Sequence, residues 1–148
     1  MKMLILFVIV TIFTSFTACR PKNPKPTDDT FKGTLKAIQV EEKKVLVYKS
    51  DATNNIIPGY ARYRIQFIEG DRKAVKLTEY TGEVFEGLWD YDKKLALLTF
   101  YDLQPMPYYE KAYNFGVSLA VNGEIILTSK YSNPKTGNTI NEYTLVPE

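Results

Sequence analysis

Tyr60-Ala61-Arg62-Tyr63-Arg64-Ile65-Gln66-Phe67-Ile68 alternates with a period of two, placing Ala61, Tyr63, Ile65 and Phe67 on one side and Arg62, Arg64 and Gln66 on the other. That is the pattern of a half-buried β-strand. Glu69-Gly70-Asp71-Arg72 follows as a hairpin turn, in which Gly supplies a positive φ. A second strand over 74–80 turns Val75 and Leu77 inward. Thr81-Gly82 leads into a third over 83–91, where Phe85, Gly87, Trp89 and Tyr91 share a face.

The same alternation runs outward in both directions, and no convincing helical period of ten residues or more interrupts it. Upstream, strands are expected over 33–40 and 45–49, joined by Glu41-Glu42-Lys43-Lys44 and followed by a longer loop over 51–59. Downstream, Asp92-Lys93-Lys94 turns into a strand over 95–101. A loop over 102–110 holds Pro105, Met106, Pro107, Tyr108 and Tyr109, with room for one helical turn. Strands over 111–121 and 124–131 flank Asn122-Gly123, the strongest hairpin signal in the chain, and a last strand covers 139–146. The expectation is an all-β protein, an antiparallel meander of eight or nine strands. Closure into a barrel removes the two unpaired edges that such a meander would otherwise expose. Closed barrel and open sandwich both remain compatible with the pattern.

The chain has 148 residues, enough for one domain, and its hydrophobic fraction of 45% supports a packed core. It holds no His and a single Cys. Ser-His-Asp and Cys-His triads, His/Cys zinc sites and intrachain disulfides are thereby excluded. No phosphate-binding Gly loop, no GxSxG and no SxxK is present. An enzyme would have to work with carboxylates, Lys or Tyr alone, so the expectation is a non-catalytic protein without cofactor or metal.

The amino-terminal segment has the order of a secretory signal. A basic start, Met1-Lys2-Met3, precedes the apolar run Leu4 to Phe13, and small residues lead to Cys19. The run is short for a bilayer span, which needs about 20 apolar residues. Phe16-Thr17-Ala18-Cys19 resembles the lipobox of bacterial lipoproteins. The resemblance implies a signal peptide over 1–18, cleavage before Cys19 and a diacylglycerol on its sulfur. Arg20, where an Asp would signal retention at the inner membrane, points to the outer membrane. An ordinary signal with a bystander cysteine, or an uncleaved anchor, are the alternatives. Residues 19–30 then form a tether, with Pro21, Pro24 and Pro26 favouring extended chain. The domain over 31–148 is formally neutral with no basic stripe, which argues against nucleic acid as a partner.

Several short stretches resemble the small lipocalin-like domains of bacterial lipoproteins: Gly33-Thr34-Leu35, Glu86-Gly87-Leu88-Trp89, Tyr91-Asp92-Lys93-Lys94-Leu95, Ile125-Ile126-Leu127 and Asn141-Glu142-Tyr143-Thr144-Leu145. The resemblance implies a lipocalin-like barrel and little about chemistry. Aromatic residues are the candidates for a ligand surface: Tyr63, Phe67, Phe85, Trp89 and Tyr91 on inward faces, with Tyr101 and Tyr108 beside the Pro105-Met106-Pro107 loop. For each the plainer alternative is core or cap. Glu83, Glu86, Asp90 and Asp92 read as a solvated hairpin more readily than as a calcium or glycosidase site. Arg62 and Arg64, side by side on one face, are an anion clamp or a salted surface. Two functions follow: a lipid-anchored envelope barrel binding a small apolar or amphipathic ligand, or an accessory subunit of an envelope complex that engages a protein partner through residues 101–110.

Overall fold

The structure, a computed structural model, describes residues 23–107 and 112–148. Nine strands form one antiparallel sheet: β1 (Gly33–Glu42), β2 (Val45–Lys49), β3 (Arg64–Ile68), β4 (Ala74–Thr78), β5 (Val84–Asp92), β6 (Leu97–Gln104), β7 (Ala112–Leu119), β8 (Ile125–Ser129) and β9 (Asn141–Pro147). Strand β1 pairs with β9 from Leu35↔Pro147 to Glu42↔Asn141, and this closes the meander into an eight-stranded barrel. Strand β2 is the ninth. It shares one edge of β1 with β3: β3 takes Gly33 to Lys36, and β2 takes Gln39 to Glu42. The chain's own loop covers the outer side of β2, with Ile57 N–H donating to Val47 O at 2.9 Å and the Asn55 side chain bonding both backbone groups of Lys49. An edge that would otherwise invite pairing is thus occupied.

The expected strands appear with shifted ends. Residues Pro58–Arg62 form a 3-10 helix, so β3 starts at Arg64 rather than at Tyr60. The proline opens that turn and offers no N–H to a ladder. Strand β6 begins two residues later than the pattern suggests, because Ala96 takes a positive φ of 49° at the end of the turn, and it runs on to Gln104. There Asp102, at φ 53°, forms a bulge so that two residues of β6 oppose Gly87. Gly87 is required at this spot: a Cβ would lie 2.6 Å from Tyr101 O and 3.1 Å from Asp102 O.

Inward positions fill the barrel axis. Leu35, Val40, Ile65, Val75, Leu77, Leu98, Phe100, Leu127 and Leu145 are all essentially inaccessible to solvent. Among the described residues no helix is long and apolar enough to cross a membrane. The barrel interior is therefore a core of the chain's own side chains, and any ligand surface lies at the ends or outside.

Candidate functional site

The two ends of the barrel are built differently. One is formed by the chain entry before β1, the β3–β4 turn and the β5–β6 turn. Phe31 here folds inward against Phe67, Trp89 and Tyr91, with ring centroids 5.5, 5.6 and 4.8 Å apart. Trp89 and Phe67 meet edge to face at 5.1 Å. Phe31 acts as a stopper, and Gly33, at φ +62°, swings the chain from stopper into strand. A 3-10 turn over Asp28–Thr30 lies across the same end. Its Asp28 pairs with Lys73 at 3.6 Å and with Lys93 at 3.6 Å.

Beside the stopper is an open pocket of about 230 Å³, walled by Phe31, Phe67, Ile68 and Trp89 and rimmed by Asp28, Asp29, Lys32, Glu69, Arg72 and Lys73. The Lys73 ammonium stands 4.7 Å from the Trp89 ring centre, a cation–π contact. Trp89 is 6% exposed, and its indole Nε1 is the one buried side-chain polar atom among the described residues without a hydrogen-bond partner. Leaving such a donor unpaired costs roughly 1–3 kcal/mol. Lys32 and Asp29 pair at 2.7 Å in solvent, which lowers the Asp29 carboxyl and raises the Lys32 amine through that hydrogen bond.

The opposite end is polar and closed. Tyr60, from the 3-10 helix, is fully buried and donates to Glu42 at 2.6 Å. Tyr63 stacks on Tyr143 at 4.6 Å. Glu79 is 4% exposed yet doubly satisfied: Tyr113 Oη donates to it at 2.6 Å and Lys135 Nζ at 2.9 Å. Lys135 also reaches Glu83 at 2.6 Å and lies 5.2 Å from the Phe85 ring centre. Asn141, wholly buried, accepts from Thr139 and donates to Tyr143. Burial pushes the Tyr60, Tyr63 and Tyr143 phenols well above their ordinary range. The space left between Tyr63, Glu79, Tyr113 and Tyr143 is about 20 Å³, room for about one water.

The aromatic candidates are thus divided. Phe67 and Trp89 line the pocket, and Tyr91 packs against Phe31 at the same end. Tyr63 and Phe85 belong to the polar end. Tyr101 points outward from β6, 37% exposed. Tyr108 and the predicted lipidation site Cys19 lie outside the described residues. Arg62 and Arg64 do not form a clamp, since Arg62 is in the 3-10 helix and Arg64 holds the Glu148 carboxylate through Nε at 3.1 Å and Nη2 at 3.0 Å. The acidic group is dispersed among surface contacts: Glu86 pairs with Lys76, Asp90 with Lys73, and Asp92 accepts from the backbone of Lys94 and Leu95. No group of three potential metal ligands occurs among the described residues.

Sequence pattern missed Phe31, Lys73 and Arg72 at one end and Glu79 and Lys135 at the other. Phe31 had one signal, as the first large apolar residue after the Pro-rich tether. A groove of about 410 Å³ on the outer wall, beside Lys43, Lys44 and Ile140, has Ile140 as its single large apolar side chain. The chain matches no family model, no curated protein and no solved structure.

Proposed function

We propose that this protein is a lipid-anchored barrel of the cell envelope, held through Cys19, that binds a small amphipathic ligand without catalysis at the pocket beside Phe31, Phe67 and Trp89. The observation that carries the reading is the apolar aromatic wall of Phe31, Phe67 and Trp89 beneath a rim of charged side chains. Burying apolar ligand surface there contributes roughly 25 cal/mol per Å². Charged side chains at the rim supply polar contacts for the other half of an amphiphile.

Trp89 is the only tryptophan in the chain, so its fluorescence reports this pocket alone. The closed ring and its core lie wholly after Asn23, and a soluble chain starting there retains every strand. Short-chain amphiphiles titrated into it should shift Trp89 emission saturably, and the shift should vanish when Trp89 is intact but Phe67→Ala removes the wall. A non-saturating response would remove the ligand claim. Mass spectrometry of the mature amino terminus tests the anchor, which an unmodified Cys19 would refute.

A second reading, an accessory subunit of an envelope complex, is favoured by the outer face of β6 and the loop after it, where Tyr101 and Met106 are 37% and 68% exposed. A photo-crosslinker at Met106 in intact cells should then retrieve one stoichiometric partner, and recovery of none counts against it.

A further inference from the structure

We infer that the pocket takes the headgroup of a zwitterionic phospholipid, and that this end of the barrel faces the bilayer. The inference rests on the pocket proposed above and adds its ligand class and orientation.

The rim is balanced, with three cations, Lys32, Arg72 and Lys73, and three anions, Asp28, Asp29 and Glu69. Four of them already pair with each other, Lys32 with Asp29 and Lys73 with Asp28. Glu69 and Arg72, both on the β3–β4 turn, make no ion pair within 4.0 Å among the described residues. A cation and an anion on a single turn, both outside the ion pairs of the rim, are the complement of a molecule that carries both charges. The Arg72 guanidinium matches a phosphate in bidentate geometry. Glu69 matches a quaternary or primary ammonium by charge. An anionic amphiphile would satisfy Arg72 but leave Glu69 unmatched, which selects against it.

The path of the chain supplies the orientation. Asp28–Thr30 and Phe31 form part of this end, so the tether leaves the barrel at the pocket. From Phe31 back to Cys19 the chain spans at most about 40 Å fully extended. Ile68, 43% exposed on the pocket's lip, offers an apolar contact for the membrane surface.

Two measurements decide it. In the soluble chain from Asn23, dihexanoylphosphatidylcholine should shift Trp89 emission with at least about tenfold higher affinity than dihexanoylphosphatidylglycerol, and Arg72→Ala and Glu69→Ala should each weaken the former by about tenfold. Equal affinity for the two lipids overturns the headgroup class while leaving an amphiphile pocket standing. Binding of neither removes the pocket and the inference together. In the full chain reconstituted into phosphatidylcholine vesicles, lipid brominated just below the headgroup should quench Trp89. Quenching by aqueous acrylamide alone would overturn the orientation.

Discussion

The two ends of this barrel solve the same problem, closing a tube of inward-facing side chains, with opposite chemistry. At the tether end Phe31 stoppers the core with rings and leaves a buried donor unpaired beside an open pocket. At the other end Tyr60 and the loop carrying Lys135 close the tube with a network in which Glu79 and Asn141, though buried, are hydrogen-bonded. A satisfied polar network specifies one arrangement and resists intrusion. An apolar wall open to solvent beneath charged side chains leaves surface for a ligand to cover. The contrast teaches where to look for a ligand: at the end whose aromatic wall is still open, and not at the end closed by its own hydrogen bonds.

The largest effect should come from breaking the closed end at its plug. Tyr60 contacts Tyr48, Tyr63, Tyr80 and Tyr143 and donates to Glu42. Tyr60→Ala leaves a cavity and removes that bond, and about 4 kcal/mol of stability should be lost in denaturant unfolding. A loss below about 1 kcal/mol would mean that the 3-10 helix merely lies over the end without plugging it.

Next comes Glu79. Glu79→Ala removes the carboxylate that accepts from the Tyr113 hydroxyl and one of the two carboxylates that Lys135 holds. Removing one member of a buried pair is worth about 3 kcal/mol, at the low end of the usual range because Lys135 keeps Glu83. Glu79→Gln preserves an acceptor for Tyr113 and should lose less. Proteolysis should cut faster between residues 130 and 140 in the Ala variant than in the Gln variant, and equal rates would show that Lys135 does not hold this loop down.

These two residues also mark the limit of what alternation reveals. Period-two patterning exposes inward faces, so the shared face of Phe85, Gly87, Trp89 and Tyr91 stands as read, and the bounds of β2 are legible to the residue although its burial does not alternate. The turn chemistry of Asn122-Gly123 is equally local. Closure by β1 with β9 follows from the need to hide edges. Glu79, by contrast, sits just beyond β4 and becomes buried only because Tyr113 and Lys135 arrive from distant parts of the chain. By parity Tyr60 falls on the outward face with Arg62 and Arg64, yet it is buried because the turn beginning at Pro58 takes it out of the strand. At the pocket, Trp89 and Phe67 could be placed on inward faces. Phe31, which meets both of them, precedes the first strand and has no period to belong to.

At the open end, Phe31→Ala should lose about 3 kcal/mol, less than the plug because this end already borders solvent. It should also move Trp89 emission to the red by uncovering the indole. Unchanged emission would mean that Trp89 is shielded by Phe67 alone, and the stopper would be a poor description of Phe31.

The smallest effect concerns pH and is followed at the closed end, where the shifted groups are buried or tied to Lys135. Hydrogen bonds from Lys135 and Thr81 hold the Glu83 carboxyl below its ordinary 4.5. A depressed carboxylate stabilises the fold above its unfolded value, and that contribution fades as pH falls through the lower folded value. For Lys135, burial opposes the charge, but hydrogen bonds with Glu83 and Glu79 outweigh it and raise the amine above 10.5. Its contribution is complete below 10.5 and fades as pH rises beyond. The buried phenols of Tyr60, Tyr63 and Tyr143 stay neutral in the fold but ionise near 10 once unfolded, so they add to the alkaline loss. The Glu83 side chain is 54% exposed, and solvent screening limits its share to a few tenths of a kcal/mol. Stability should therefore be level between about pH 5 and 9 and decline on both sides, with Glu83→Gln flattening the acid limb only slightly. Phenolate absorbance should appear in step with unfolding for the buried tyrosines. Their titration in the folded protein near pH 10 would show that the end is open to water, and the difference between the two ends would disappear.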